Sequence, residues 1–279
     1  MKIEIFENSA GFLARTGNAL LSREVEYGLI YSIAERLKHN SRCYGKENPW
    51  YFAVTEGSEI LSAFLRTPPY NLIFAYFSGD LDILSSPVCE FIINHYGSMP
   101  GITGEAESSK KLADTYCRLT GTDIRKTMNQ RIYRLDSLNP LKLAEGRLRK
   151  AAAGDRDILE SWSRAFAQEA LGKKEHESGI DEMVREGTLF VWEEGKIKTM
   201  AAICRPVLHG ISISLVYTPL EYRKQGYATA IVHSLCRMLL DSGYKYCTLY
   251  TDLANPVSNS IYVKIGFVPM YESIQIDFF

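Results

Sequence analysis

The amino-acid sequence predicts an α/β fold built as two tandem lobes, residues 1–138 and 139–279. Three observations carry this expectation. Residues 211–230 run from strand through a turn into helix, the alternation of an α/β unit. A strand–turn–strand pattern in residues 50–69 recurs in residues 190–206. An offset of 138 aligns Phe52 with Phe190, Glu56 with Glu194, Gly57 with Gly195, Ala63 with Ala201 and Pro68 with Pro206. These identities fall at the turn and the strand end, where backbone geometry restricts the choice of residue. Between the copies lies Ser137-Leu138-Asn139-Pro140, whose Asn and Pro stop regular structure.

At 279 residues the chain suits one large domain or two ordinary ones. It is 46% hydrophobic and 23% charged with a formal net charge of −1, the balance of an ordinary soluble protein. With no broad basic excess and a pI of about 6.5, neither nucleic acid nor a membrane surface is expected as a partner. No apolar run approaches the ~20 residues that span a bilayer. Glu4 and Glu7 interrupt the first segment, so no signal peptide is expected. The six cysteines, Cys43, Cys89, Cys117, Cys204, Cys236 and Cys247, form no C-x-x-C pairs. That spacing argues against a disulfide framework and against a zinc site. Reduced, packed thiols in a cytoplasmic protein are expected, and no metal.

The elements follow in order. A helix is expected over residues 22–39, with Ser22 as cap, Glu24 and Glu26 in the first turn, and Val25, Leu29, Ile33 and Leu37 as its buried stripe. Strands follow at 50–57, 60–66 and 70–77. Residues 80–87 and 99–107 then read as loops. The second carries Glu105 and Glu107, which repel an anion, so the first lobe is expected to have lost any phosphate grip and to be structural. A helix at 106–119 and a strand at 130–135 complete it. The second lobe opens with a strand at 147–152. Asp155 is expected to cap a helix at 158–171, with Leu159, Trp162, Phe166 and Ala170 on one face. A polar loop, 172–179, leads to strands at 190–195 and 197–204.

Ile211, Ile213 and Leu215 alternate with Ser212 and Ser214, the period of a half-buried strand, and Pro219 ends it. Arg223-Lys224-Gln225-Gly226-Tyr227-Ala228 leads into a helix with Ile231, Leu235 and Leu239 on one face. The first turn of a helix leaves N–H groups without intrahelical partners and carries partial positive charge. Gly226 lets the backbone approach a bulky anion, while Arg223 and Lys224 add full charges. The stretch reads as an anion site that would suit a diphosphate, or as a surface loop with two solvated basic residues. Beyond a strand at 246–250, residues 255–267 read as a short helix. Asn255 is its cap, Pro256 its first residue, and Gly266 lies just past its end.

The motifs R-K-Q-G-Y-A at 223–228 and N-P-V-S-N-S-I-Y-V-K-I-G-F at 255–267, separated by a helix and a strand, together resemble the GNAT acetyltransferase superfamily. The resemblance covers about the last half of the chain, from Gly146, and Ala228 stands where many members have glycine. It implies a mixed central sheet flanked by helices in each lobe, the first degenerate and the second catalytic. It also implies acetyl-CoA as co-substrate. The pyrophosphate would lie on Arg223, Lys224, Gln225, Gly226, Tyr227, Ala228 and Thr229. The pantetheine and thioester would follow a splayed strand end at Leu215, Val216 and Tyr217, with Asn255 and Ser258 beside them.

The implied reaction is N-acetylation of a primary amine, small molecule or peptide, by direct attack in a ternary complex. Tyr262 would protonate the leaving thiolate. Glu169, Glu175 and His176 are the candidates for general base, and His is favoured chemically because its unperturbed pKa is near neutrality. His233 is expected to be packed or exposed, and His209 carries no signal. Two other readings stand beside this one: a non-catalytic acyl-CoA-binding sensor, and a transferase for longer acyl groups. The sequence is silent on oligomeric state.

Overall fold

A computed structural model describes residues 1–172 and 179–279. The chain forms two compact units, residues 1–132 with 270–279, and residues 133–269. The first stretch runs β1 (Lys2–Ile5), α1 (Ser9–Leu21), α2 (Glu24–His39), β2 (Trp50–Glu56), β3 (Glu59–Arg66), β4 (Leu72–Tyr76), α3 (Leu81–Tyr96), β5 (Gly101–Glu105), α4 (Ala106–Thr120) and β6 (Ile124–Leu135). The second repeats that order. It runs β7 (Arg147–Lys150), α5 (Arg156–Leu171), α6 (Ile180–Glu186), β8 (Leu189–Glu194), β9 (Lys196–Cys204), β10 (Gly210–Tyr217), α7 (Tyr227–Asp241), β11 (Tyr246–Asp252), α8 (Pro256–Ile265) and β12 (Val268–Phe278). The hairpin repeat thus extends to the whole succession of elements. In each unit three antiparallel strands, β2-β3-β4 or β8-β9-β10, are joined by a fourth running parallel to the third, β5 or β11. The fold is α/β with a mixed sheet flanked by helices.

The last strand has a partner that sequence pattern alone does not reveal. β12 pairs antiparallel with β5, Ser273 opposite Glu105 and Asp277 opposite Gly101. Its alternating Ile274, Ile276 and Phe278 enter the core that holds Ile102, Leu112 and Tyr116. Residues 270–279 therefore belong to the first unit, whereas the sequence grouped them with the second lobe and divided the chain at 138/139. Period-2 alternation identifies a strand but not its neighbour.

Several local expectations change for identifiable reasons. A helix not anticipated, α1, starts at Asn8, whose Oδ1 accepts from the Gly11 N–H at 2.9 Å. Ser22 ends α1 and does not cap α2. Tyr27, Ile30, Ile33, Ala34 and Leu37 are the buried face of α2, and Val25 and Leu29 lie at its margin. Residues 80–87 are not a loop: Asp80 caps α3 and Pro87 sits inside it, at the cost of one intrahelical bond. Asp155 stands at the N-cap position of α5, but its side chain makes no cap bond there. Its carboxylate accepts from the Ala152 N–H at 2.9 Å and pairs with Arg149 at 2.6 Å. Among the described residues no helix is long and apolar enough to cross a membrane.

In the second unit β10 and β11 pair from their first residues, Gly210 opposite Tyr246. Gly210 opens β10 directly against the ring of Tyr246, and a Cβ there would lie 2.0 Å from Tyr246 Cε2. Gly210→Ala should therefore cost about 1–3 kcal/mol in denaturant unfolding, as overpacking does. In a Tyr246→Ala background the same change should cost less than about 0.5 kcal/mol, the range of independent sites. Equal penalties in both backgrounds would contradict the packing described.

Candidate active site

The second unit opens between β10 and β11. The two strands pair in parallel from Gly210 opposite Tyr246 to Ile213 opposite Leu249 and no further, although β10 continues to Tyr217 and β11 to Asp252. Against β9, Ser214 lies opposite Ala202 and Tyr217 opposite Met200, so β10 carries one extra residue. Leu215 takes up that residue in the left-handed region, at φ 52°. A bulge bends its strand and increases its twist, which turns Leu215, Val216 and Tyr217 off the ladder with β11. Their polar backbone groups on that side await a partner. Ser212, expected on a solvent face, is buried because its hydroxyl bonds Thr248 Oγ1 at 2.7 Å, just before the strands part.

The loop after β10 is held by side chains from several elements. Thr199 Oγ1 donates to the Tyr217 carbonyl at 2.7 Å, and Thr218 Oγ1 donates to Thr199 Oγ1 at 2.8 Å. Arg223 Nε donates to the Thr218 carbonyl at 2.8 Å, and its guanidinium pairs with Glu169 at 2.6 Å. Glu169 also accepts from the Tyr217 hydroxyl at 3.1 Å. Burial and the neighbouring Glu169 both push the Tyr217 phenol up from its ordinary value. Arg223, expected to offer its charge to an anion, ties the loop to the strand end and to α5. Gln225 is exposed, and its Nε2 donates to the Glu221 carbonyl within the same loop at 3.0 Å. Lys224, at φ 61°, is exposed and makes no ion pair among the described residues.

Gly226, at φ 87°, then turns the chain into α7. No side chain caps this helix, and its first backbone bond runs from the Ala230 N–H to the Gly226 carbonyl. The N–H groups of Tyr227, Ala228 and Thr229 precede that bond and point out of the helix end. Tyr227 takes part only through its backbone, because its hydroxyl donates to Glu194 and its ring packs edge-on against Tyr222 at 6.4 Å. Glu194 is a residue that sequence reasoning missed as a site element; its recurrence at the repeated Glu-Gly turn was the available signal.

The third wall is α8. Asn255 Oδ1 accepts from the Ser258 N–H at 3.0 Å, so both residues sit at an exposed helix start as a true cap. Asn259, also missed, ties that start to β11: its Nδ2 donates to the Asp252 carbonyl at 3.0 Å, and its Oδ1 accepts from the Tyr133 hydroxyl at 3.1 Å. Tyr262 is 7% exposed, its ring 5.9 Å from Phe267 and 6.4 Å from Tyr133. Its hydroxyl makes no hydrogen bond among the described residues, and burial pushes the phenol well above its ordinary value, so it stays protonated. His233 is buried, with Nε2 3.1 Å from the Asn139 carbonyl, and Cys247 is packed beside Cys236. Glu175 and His176 lie outside the described residues. Among those described, no group of three or more His, Cys, Asp or Glu side chains is placed to hold a metal.

Residues 156–267 match the model of the Acetyltransferase (GNAT) family, a span that holds the bulged strand, the loop, α7 and α8. They form a GNAT acetyltransferase domain. Membership supports acyl transfer in general. Solved structures extend the likeness of fold to the whole chain. A GNAT-family acetyltransferase from Colwellia psychrerythraea is 13% identical, with 100% of both chains covered and a TM-score of 0.56. The tandem GNAT protein of the clavulanic acid biosynthesis pathway is 10% identical over 99% of this chain and 98% of that one, at 0.55. A Drosophila protein is also 10% identical over 99% and 98%, at 0.69. At such identities these comparisons establish the fold alone. No curated protein matches the chain.

The Tyr227–Glu194 bond anchors the first residue of α7 in this GNAT domain. The bond raises the Tyr227 phenol above its ordinary 10.0, with burial contributing second. A raised folded-state pKa means that the neutral phenol is the stabilised form. Its contribution is full below pH 10 and is lost as pH climbs through the higher folded value. Tyr227→Phe should lower stability by about 1 kcal/mol near neutrality. Its deficit against the wild type should shrink above pH 10 in parallel denaturant titrations; a deficit that grows there would contradict the assignment.

Proposed function

We propose that the protein is an acetyl-CoA-dependent N-acetyltransferase acting on a primary amine, small molecule or peptide, by direct attack in a ternary complex. The observation that carries this reading is the parting of β10 from β11 after Ile213, immediately ahead of an uncapped helix start at Gly226. A CoA ester needs an anion site adjoining a slot for an uncharged, hydrogen-bonding arm, and these two features supply both.

Acetyl-CoA, when bound, supplies the activated thioester. The amides of Tyr227, Ala228 and Thr229 would hold the diphosphate, helped by the exposed Lys224. The backbone of Leu215, Val216 and Tyr217 would receive the pantetheine arm and direct an N–H at the thioester oxygen. One such donor is worth roughly 2.7–4 kcal/mol in a water-poor site. Asn255 and Ser258 would border the arm from the other side. Tyr262, kept neutral by burial, would return a proton to the departing thiolate. Glu169 serves here as the brace between Tyr217 and Arg223, so the loop keeps its shape without spending Arg223 on the ligand.

Calorimetry with CoA tests the anion site. Gly226→Glu places a side chain at φ 87° and a negative charge beside the diphosphate, and should weaken binding at least about tenfold. Unchanged affinity would remove the site from the loop. Thiol release from acetyl-CoA across a panel of amines tests the reaction, and release with none of them would favour a binding module. Tyr262→Phe should lower kcat about 100-fold or more while leaving CoA affinity intact, in keeping with the worth of a general acid. An unaltered rate would end its acid role.

A further inference from the structure

We propose that the first unit carries a site for the carboxylate of a small organic acid, centred on the guanidinium of Arg66. Every residue the site uses lies within residues 1–132. It goes beyond the acetyltransferase reading and does not depend on it.

Arg66 is the last residue of β3. It stands opposite Trp50 on one side and Leu72 on the other, and Leu72 stands opposite Ile102. Residues opposite one another in a sheet share a face, so Arg66 is the one charged member of an apolar row. Leu72 and Ile102 are buried in the core that also holds Tyr116, and Trp50 packs against that core. Arg66 itself is only 9% exposed. Its guanidinium lies over the Trp50 indole at 4.2 Å, and the Tyr96 ring stacks on the same indole at 4.1 Å. Cation and ring at those distances take the two faces of the indole, which fixes where the charge sits.

Among the described residues no carboxylate pairs with this charge. Arg66 Nε donates to the Tyr70 carbonyl at 2.9 Å, while the two Nη groups make no hydrogen bond there and are not sealed from solvent. A cation taken this far out of water is costly unless it is paired. Burial pushes the guanidinium below its ordinary value, and the fields of Glu47 and Tyr116 oppose that shift. Glu47 is exposed and forms no ion pair among the described residues. Tyr116 is 3% exposed, and its hydroxyl accepts from the Met99 N–H at 3.2 Å. The phenol proton has no acceptor among the described residues, so Tyr116 is a second donor beside the guanidinium. The place offers N–H and O–H groups, and an acceptor is what completes it.

Shape and charge select a carboxylate among acceptors. With Nε committed, the Nη edge presents parallel N–H groups that match the two oxygens of a carboxylate. The indole and tyrosine rings keep the surroundings apolar, where an ion pair is stronger than in water. Desolvation grows with the square of the charge, so a phosphate dianion costs about four times as much to bury as a monoanion. One guanidinium returns only twice the attraction, with Glu47 repelling. A neutral carbonyl would leave the cation uncompensated.

Isothermal titration and thermal melting test the site with sodium acetate and with inorganic phosphate, at constant ionic strength and a mildly alkaline pH where phosphate is a dianion. Acetate should bind the wild type and raise its melting midpoint, and phosphate should bind at least about tenfold more weakly. Arg66→Lys keeps the charge, loses the fork and should weaken acetate at least about tenfold, and Arg66→Met should abolish its binding. Glu47→Gln removes the repelling charge and should tighten acetate about threefold. A cooperative melt of each unliganded variant shows that it folds, and if neither Arg66 variant melts cooperatively the Glu47→Gln result decides alone. The proposal is overturned if acetate does not bind the wild type, and binding to Glu47→Gln alone would then give the place to the chain's own Glu47. It is also overturned if phosphate binds as tightly, if a folded Arg66→Met binds acetate like the wild type, or if Glu47→Gln leaves the affinity unchanged.

Discussion

One extra residue in β10 governs the second unit. Without the bulge at Leu215 the strand would run on beside β11, and its backbone groups would be consumed by the ladder. With it, pairing stops at Ile213. The Ser212–Thr248 hydroxyl pair lies one residue before that point, and the chain beyond leads to the start of α7. The Thr199, Thr218, Arg223 and Glu169 bonds then hold the diverted segment in place. A bulge unsupported in this way would be free to anneal to the neighbouring strand. The site is therefore a property of interrupted pairing as much as of any single side chain.

The two units show how charge at a helix start decides the use of one scaffold. Both have a parallel strand pair whose register ends before the strands do, with a helix between the two strands in the chain and another after them. In the second unit the start of α7 is bare, with glycine ahead of it. In the first, Asp80 satisfies an amide at the start of α3, the counterpart of α7, from within. Partial positive charge left uncapped in one unit is neutralised in the other.

Much of this was legible in the chain. Pro256 and Gly266 bracket α8 where cap chemistry places them, and the apolar stripe Ile231, Leu235, Leu239 marks α7 because a helix packed on one face leaves a 3.6-residue imprint. The turn residues Gly57 and Gly195 exposed the duplication. What escaped depended on distant partners. Pro87 masked α3, since a proline tolerated inside a helix by tertiary packing looks like a terminator in sequence. The destination of β12 is set by the core that receives Ile274 and Ile276, which no local pattern encodes. Arg223 looked like a free cation because its partner, Glu169, lies 54 residues away.

A crystal structure grown with CoA measures the central claim most directly. The account predicts the diphosphate within hydrogen-bond distance of the Tyr227, Ala228 and Thr229 amides, and the pantetheine lying along Leu215–Tyr217 where β10 has left β11. A cofactor bound elsewhere, or a β10 that continues its ladder with β11 past Ile213 in that crystal, would contradict it.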